Sequence, residues 1–335
     1  MARRVAVAFN DDSHLKTHLS PPELVGSAEV RQAAEEVAKT TGGTLVPVRE
    51  DIDGALRDLQ RFDVVVDLCE GVLGIPGLEK NFALALEMLG IPHTSCEPVS
   101  VGLVSDKVLV KKLLRTAGIP TPRGFADPRS VPPGTYIVKP SLEDGGIGIE
   151  AAAVVRSPEE LAARYRHVVE TYDQTPLIEE FIDGRELNQS FYCGRLLPPG
   201  EMFFAADLKP WERVVGAKAK WDIGSPEDLA TVSGMAVDLD EATRGELSRI
   251  CLAAAELLGV DMSARFDLRQ ARDGRLYLIE INPNPDIGPG SGFRKALETA
   301  KVPFSEFLET LIMAAYARCA DEDPSSSKQR SRPHP

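Results

Sequence analysis

Ser263-Ala264-Arg265-Phe266-Asp267-Leu268-Arg269-Gln270-Ala271-Arg272-Asp273-Gly274-Arg275-Leu276-Tyr277-Leu278-Ile279-Glu280-Ile281-Asn282 is the stretch on which the reading of this chain turns. Asp273-Gly274 between two alternating runs signals a hairpin with a two-residue loop. With that loop, Arg272 faces Arg275, and counting outward sets Asp267 opposite Glu280 and Arg265 opposite Asn282. Side chains two apart on a strand share a face, so these four groups meet on one side of the strand pair. Opposed carboxylates repel, and a fold that pairs them usually supplies a cation or a proton. Donors that are all oxygen select a hard ion such as magnesium, held through one or two carboxylates plus substrate phosphates. By spacing alone, a solvent-facing strand pair with scattered charges reads the same way. The sequel Asn282-Pro283-Asn284-Pro285-Asp286-Ile287-Gly288-Pro289-Gly290-Ser291-Gly292 cannot continue the strand, so a shaped loop begins where the carboxylates end.

Outward from the hairpin, composition sets bounds. A chain of 335 residues, 43% hydrophobic and 27% charged, fits two or three domains around a shared cleft. A net charge of -13 disfavours phosphate backbones and anionic membrane surfaces, so neither nucleic acid nor membrane is an expected partner. The five cysteines form no CxxC pair or metal spacing, which fits a reducing cytoplasm. Val5–Phe9 reads as a buried strand rather than part of a signal peptide, because Asn10, Asp11 and Asp12 end the apolar run too soon.

The first hundred residues alternate strands (5–9, 44–48, 64–68 and a piece near His93) with helices, one bearing Ala33, Ala34, Val37 and Ala38 and another Phe82, Leu84, Ala85, Leu86 and Leu89, the order of a parallel sheet with covering helices. Ser105 is positioned to cap a helix that Gly118 and Pro120 stop. Strands at 136–138 and 177–181, around a helix at 158–170, suggest a small α+β domain. Further strands are expected at 187–192, 202–206, 263–269 and 276–281, with helices at 241–258 and 304–318. The residues after Pro324 offer nothing large and apolar to bury, so the tail is expected to be disordered.

Lys139 ends an apolar strand just before Glu143-Asp144-Gly145-Gly146-Ile147-Gly148, and a buried lysine there needs an anionic partner. Glycines at 145, 146 and 148 let backbone amides close over phosphate oxygens, although an ordinary hairpin has the same composition. Glu179-Glu180-Phe181-Ile182, followed by Asp183-Gly184-Arg185-Glu186, reads as a strand, a turn and a second strand, a hinge offering an apolar slot for a base and a carboxylate for ribose.

The ordered set Leu89-Gly90-Ile91-Pro92-His93-Thr94, Ser105-Asp106-Lys107, Ala117-Gly118-Ile119-Pro120-Thr121-Pro122, Ile137-Val138-Lys139-Pro140, Ile178-Glu179-Glu180-Phe181, Arg265-Phe266-Asp267 and Glu280-Ile281-Asn282-Pro283 resembles the ATP-grasp superfamily. Within it the likeness is to the D-alanine–D-alanine ligase group, over nearly the whole chain to about residue 318. The resemblance implies a mixed α/β and α+β fold: an N-terminal parallel α/β substrate domain (1–103), a central ATP-grasp lobe (104–183), a C-terminal lobe with the metal site (184–320) and the tail (321–335). It implies ATP with Mg2+, or Mn2+ in its place. Lys107 and Lys139 would contact phosphates under the loop bearing Gly145 and Gly146, while Glu179, Glu180 and Ile182 line the adenine site and Glu186 holds the ribose. Lys220, in Ala219-Lys220-Trp221, would reach the phosphates from a mobile segment. Asp267, Glu280 and Asn282 match the metal ligands, and Arg265 the group that stabilises the tetrahedral oxyanion. Ser291 and Gly292 match positions holding the second amino acid's carboxylate. The expected reaction joins a small carboxylate to an amine through an acyl phosphate, with amino acids or a dipeptide as partners, and dimerisation through the first domain is a family expectation.

The first domain departs from that group. Asp11, Asp12, Ser13 and His14 stand where the ligases carry a glycine-rich turn with the first substrate's glutamate, and Glu70-Gly71 replaces their His-Gly. Glu70 is a candidate substrate contact, and His14, His18 and His93 read more simply as surface or hydrogen-bonded residues than as bases. Cell-wall dipeptide synthesis and assembly of a specialised peptide or modified amino acid both fit. A kinase of the same superfamily would instead leave a stable phosphorylated product, and a nucleotide-binding regulator would have no turnover.

Overall fold

Apolar on both faces, Val5-Ala6-Val7-Ala8-Phe9 has the pattern of a parallel strand covered on two sides. In the computed structural model, which describes residues 3–12, 15 and 26–322, this run is buried throughout as β1 (Val5–Asn10). Parallel β2 (Thr44–Val48) and β3 (Val64–Asp67) flank it in the order β2-β1-β3. Alternation sends Val5, Val7 and Phe9 into one core with α1 (Gly26–Thr41), and Ala6 and Ala8 into another with α2 (Ile52–Leu59) and α3 (Glu79–Met88). The strand expected at His93 is a single parallel bridge to Val65. On α3 the buried face is Phe82, Ala83 and Leu86, whereas Leu84 and Leu89, expected to share it, are 43% and 40% exposed.

A break at Asp106 separates α4 (Pro98–Ser105) from α5 (Lys107–Thr116). The capping expectation was off by one residue: the Ser105 hydroxyl donates back to the Val101 carbonyl, and Asp106 caps α5 by accepting from the amides of Val108 and Leu109. A carboxylate satisfies two orphan amides at once.

Antiparallel β4 (Gly124–Phe125), β5 (Tyr136–Pro140), β6 (Val154–Val155) and β7 (Pro176–Glu180) form a second sheet, ordered β4-β7-β5-β6. Its core includes Val138, Ile178 and, from α6 (Pro158–Tyr172), Leu161 and Val168. Ser157 caps α6, Pro158 opens it and Asp173 closes it in the left-handed conformation at φ 51°. The third sheet comprises β8 (Gly184–Tyr192), β9 (Arg195–Leu196), β10 (Gly200–Phe204), β11 (Thr231–Met235), β12 (Ser263–Ala271) and β13 (Leu276–Asn282), ordered β11-β10-β8-β12-β13 with β9 paired to β8. The short helices α7 (Ala217–Trp221) and α8 (Pro226–Leu229) lie between β10 and β11; α9 (Glu241–Leu258), α10 (Gly292–Thr299) and α11 (Phe304–Glu322) follow. The expected tail begins inside α11, and its remainder lies outside the described residues.

The hairpin β12–β13 reaches the expected pairing by a different route. Ala271 and Arg275 are joined by a hydrogen bond, so the loop is the three residues Arg272-Asp273-Gly274, with Gly274 at φ 86°. Gln270 then pairs with Leu276 and Leu268 with Leu278, one position off the two-residue count. A β-bulge between Asp267 and Leu268 absorbs Ile279 and restores Asp267 opposite Glu280 and Arg265 opposite Asn282.

Candidate active site

The second and third sheets face one another across a slot lined by Ile137, Ile149, Ile182, Val214, Val215 and Ile279, with Lys139, Gly146, Glu179, Glu180, Glu186, Lys220, Asp267 and Glu280 around it. This slot shares residues with a larger cleft of about 2230 Å³, counting its open mouth, that runs toward the parallel sheet. Arg265, Asn282, Gly145, Ser291 and Gly292 line that cleft, together with Lys220, Asp267 and Glu280. The geometry thus gathers the sequence-selected residues around one connected space; Lys107 reaches it through Glu280.

Cations here are matched to carboxylates. Lys107 Nζ lies 2.8 Å from Glu280 Oε1 and 2.8 Å from Asp144 Oδ1, and donates to the Glu143 carbonyl. Burial alone would lower the Lys107 pKa, but Asp144 and Glu280 outweigh it and raise it. Burial likewise opposes ionisation of Glu280, yet Lys107 and Lys139 hold its pKa well below the carboxylate range. Arg265 grips Asp267 through two bonds of 2.8 and 2.9 Å, and Asn188, directly opposite on β8, donates to the same carboxylate at 2.8 Å. Glu179, 1% exposed, sits between Lys139 (2.9 Å) and Lys111 (3.0 Å). Burial pushes Glu179 up, and the two ammonium groups more than reverse it. Burial lowers the Lys111 pKa to about 8.

Lys111 and Asn188 were missed from the sequence. The spacing of Lys107 and Lys111 puts both on one face of α5, beside the buried Val110 and Leu114, which marks Lys111 as an inward lysine. Alternation along β8 puts Glu186, Asn188 and Ser190 on the cleft face, a signal available in the sequence.

The oxygen-only set of Asp267, Glu280 and Asn282 fits a hard divalent ion, with Arg265 and Lys107 standing where its charge would act. Among the described residues no group of three or more His, Cys, Asp or Glu is arranged to hold a metal, so such an ion would draw further ligands from phosphate oxygens.

Two segments cover the slot and are seamed together. Trp221 Nε1 donates to the Gly145 carbonyl at 2.9 Å, and the Ala217 amide to the Gly146 carbonyl at 3.0 Å. A Cβ on Gly216 would stand 1.9 Å from the Ile149 carbonyl oxygen, so only glycine permits this approach.

Toward the parallel sheet the cleft is acidic: Asp12, Glu29, Glu70, Glu79 and Asp286 line it. Burial and then Asp286 raise the Glu70 pKa to about 8 and also raise Glu29; burial and then Asp144 raise Glu79 well above its usual range. Ser291, which also lines the cleft, caps α10 by accepting from the Arg294 amide, so its hydroxyl proton remains available. His14 and His18 lie outside the described residues. Burial, aided by Arg318, lowers the pKa of His93 to about 3.

The family model described as "D-ala D-ala ligase C-terminus" matches residues 134–313. An uncharacterized protein of Sinorhizobium fredii is 30% identical over 291 residues, covering 79% of this chain and 81% of its own length. The D-alanine–D-alanine ligase of Pseudomonas putida is 28% identical, covering 84% of this chain and 86% of its own. The crystal structure of the Bacillus anthracis D-alanine–D-alanine ligase complexed with ATP superposes at a TM-score of 0.74, covering 96% of this chain and all of that one, at 22% identity.

Proposed function

Because this chain belongs to the D-alanine–D-alanine ligase family of ATP-dependent carboxylate–amine ligases, we propose that it joins two small amino-acid-like molecules through an acyl phosphate, releasing ADP and phosphate. The observation that carries this reading is the opposed pair Asp267 and Glu280, flanked by Arg265, Lys107 and Lys220, where the slot with its isoleucine and valine lining meets the acid-lined cleft. We read residues 1–103 as the substrate domain, and 104–183 and 184–320 as the two lobes that clasp the nucleotide.

Asp267, Glu280 and Asn282 would hold magnesium, which supplies neutralisation of phosphate charge. Lys139, anchored by Glu179, and Lys220 from the covering segment draw the γ-phosphate toward the donor carboxylate. Nucleotide binding exchanges the Lys107–Asp144 contact for phosphate, freeing the glycine loop to settle over it. Arg265, which borders the same carboxylate, would stabilise the oxyanion formed when the amine attacks the acyl carbonyl. The seam between Gly145 and Trp221 excludes water that would hydrolyse the acyl phosphate. The acidic end suits an ammonium-bearing substrate, and the Ser291 hydroxyl with the α10 N-terminus suits the acceptor's carboxylate.

The test is phosphate release from ATP and magnesium with pooled D- and L-amino acids, followed by mass analysis. Release that needs two amino acids and yields their condensed amide is the expected result. A stable phosphorylated product with no amine requirement would contradict it.

A further inference from the structure

Arg269 is a charged residue in the nucleotide slot to which the resemblance assigns no role. It lies on β12 opposite Glu186 of β8, and its Nη2 sits 2.6 Å from Glu186 Oε2 while also donating to the Arg213 carbonyl at 2.6 Å. Its guanidinium lies 5.7 Å from the ring centre of Phe181, at the hinge, and 5.4 Å from that of Phe204. These contacts surround a side chain that is only 7% exposed. Nη2 is fully used, yet Nη1 is buried with no hydrogen-bond partner among the described residues. A buried guanidinium nitrogen left unpaired is unfavourable enough that native folds rarely keep one without a partner from outside the chain. Here that nitrogen belongs to a residue lining the slot beside the carboxylate expected to meet the ribose.

We propose that Arg269 and Glu186 form a two-sided reader of the ribose, Glu186 accepting a hydrogen bond from a hydroxyl and Arg269 Nη1 donating one. A hydroxyl both donates and accepts, so a carboxylate alone uses half of its capacity, whereas a carboxylate–guanidinium pair uses both halves. The inference rests on the nucleotide reading above and deepens it: Arg269 selects ribonucleotides over deoxyribonucleotides. Discrimination of this kind arises because the analogue lacking the hydroxyl leaves the buried donor unpaired again.

Calorimetric titration of the full chain, in magnesium, with ADP, 2′-deoxy-ADP and 3′-deoxy-ADP tests this without relying on turnover. The wild-type protein is expected to bind at least one deoxy analogue roughly tenfold or more weakly than ADP. Arg269→Lys keeps a cation beside Glu186 but lacks the forked second nitrogen, and Arg269→Met fills the space between the two rings. Both are expected to bring the ADP preference to about threefold or less, with melting temperatures recorded to show that each remains folded. An undiminished preference in a folded variant overturns the assignment of Arg269 and leaves the ligase reading intact. No binding of ADP or ATP by the wild-type protein overturns both.

Discussion

The two ends of the cleft handle negative charge in opposite ways. At the nucleotide end Glu179 lies between two lysines, Glu280 faces Lys107 and Asp267 faces Arg265. At the end built on the parallel sheet Glu29 and Glu70 lie near Asp286, and Glu70 and Glu79 near Asp144, and burial together with these neighbours raises the pKa values of the three glutamates. The first arrangement is complete within the chain and positions cations for an anionic ligand. The second is under-compensated and gains from a ligand that brings positive charge. On the function proposed above, the first end would take phosphate and the second ammonium.

Breaking the matched end should have the largest effects. Glu280→Gln is expected to lower kcat by on the order of 10²–10³-fold while ADP still binds, read by phosphate release beside calorimetry. Loss of ADP binding in step with turnover would assign Glu280 to holding the nucleotide rather than to the transition state. Glu179→Gln leaves two buried ammonium groups facing a neutral amide, and should destabilise the fold by about 3 kcal/mol in urea unfolding. A loss within 0.5 kcal/mol, the ordinary scatter of surface substitutions, would show that Lys111 and Lys139 do not depend on it.

Next comes the cover. Gly216→Ala forces its Cβ against the Ile149 carbonyl and should open the seam, raising the KM for ATP by about tenfold. An unchanged KM would mean that the seam opens without consequence for binding.

The smallest effect sharpens the contrast with the acidic end. Glu70 has a folded-state pKa of about 8 against an ordinary value of 4.5, so its contribution to stability is full below the lower value and is lost as pH rises through the upper one. Glu70→Gln escapes that loss. The melting temperature of the variant minus that of the wild type should be near zero at pH 5 and grow by a few degrees by pH 9. A difference that shrinks as pH rises would mean that Glu70 is matched after all.

The sequence made the matched end legible and the acidic end largely not, for physical reasons. Opposed carboxylates follow from strand periodicity and one Asp-Gly turn, and their pairing was found although two local details differed. The loop has three residues rather than two, and a bulge at Ile279 cancels the shift. Register near a functional site is fixed by the buried face, so turn and bulge compensate one another. Lys111 escaped because a lysine on an amphipathic helix usually faces water, and only its place beside Val110 and Leu114 shows otherwise. Arg269 escaped because its partners Glu186, Phe181, Phe204 and Arg213 come from separate parts of the chain. Glu79 and Asp286 converge through the packing of the parallel sheet against the loop after β13, which no local pattern encodes. β11 is not signalled either, since Ser233 and Gly234 interrupt its apolar alternation.

An acyl phosphate requires an oxygen of the donor carboxylate to leave with the phosphate. Pooled amino acids labelled with oxygen-18 in their carboxyl groups, turned over with ATP and magnesium, therefore give the most direct test. One labelled oxygen in each inorganic phosphate released, dependent on the presence of an acceptor amine, is the result expected of this ligase. Unlabelled phosphate released at the same rate would place the attack on a water molecule and contradict the account.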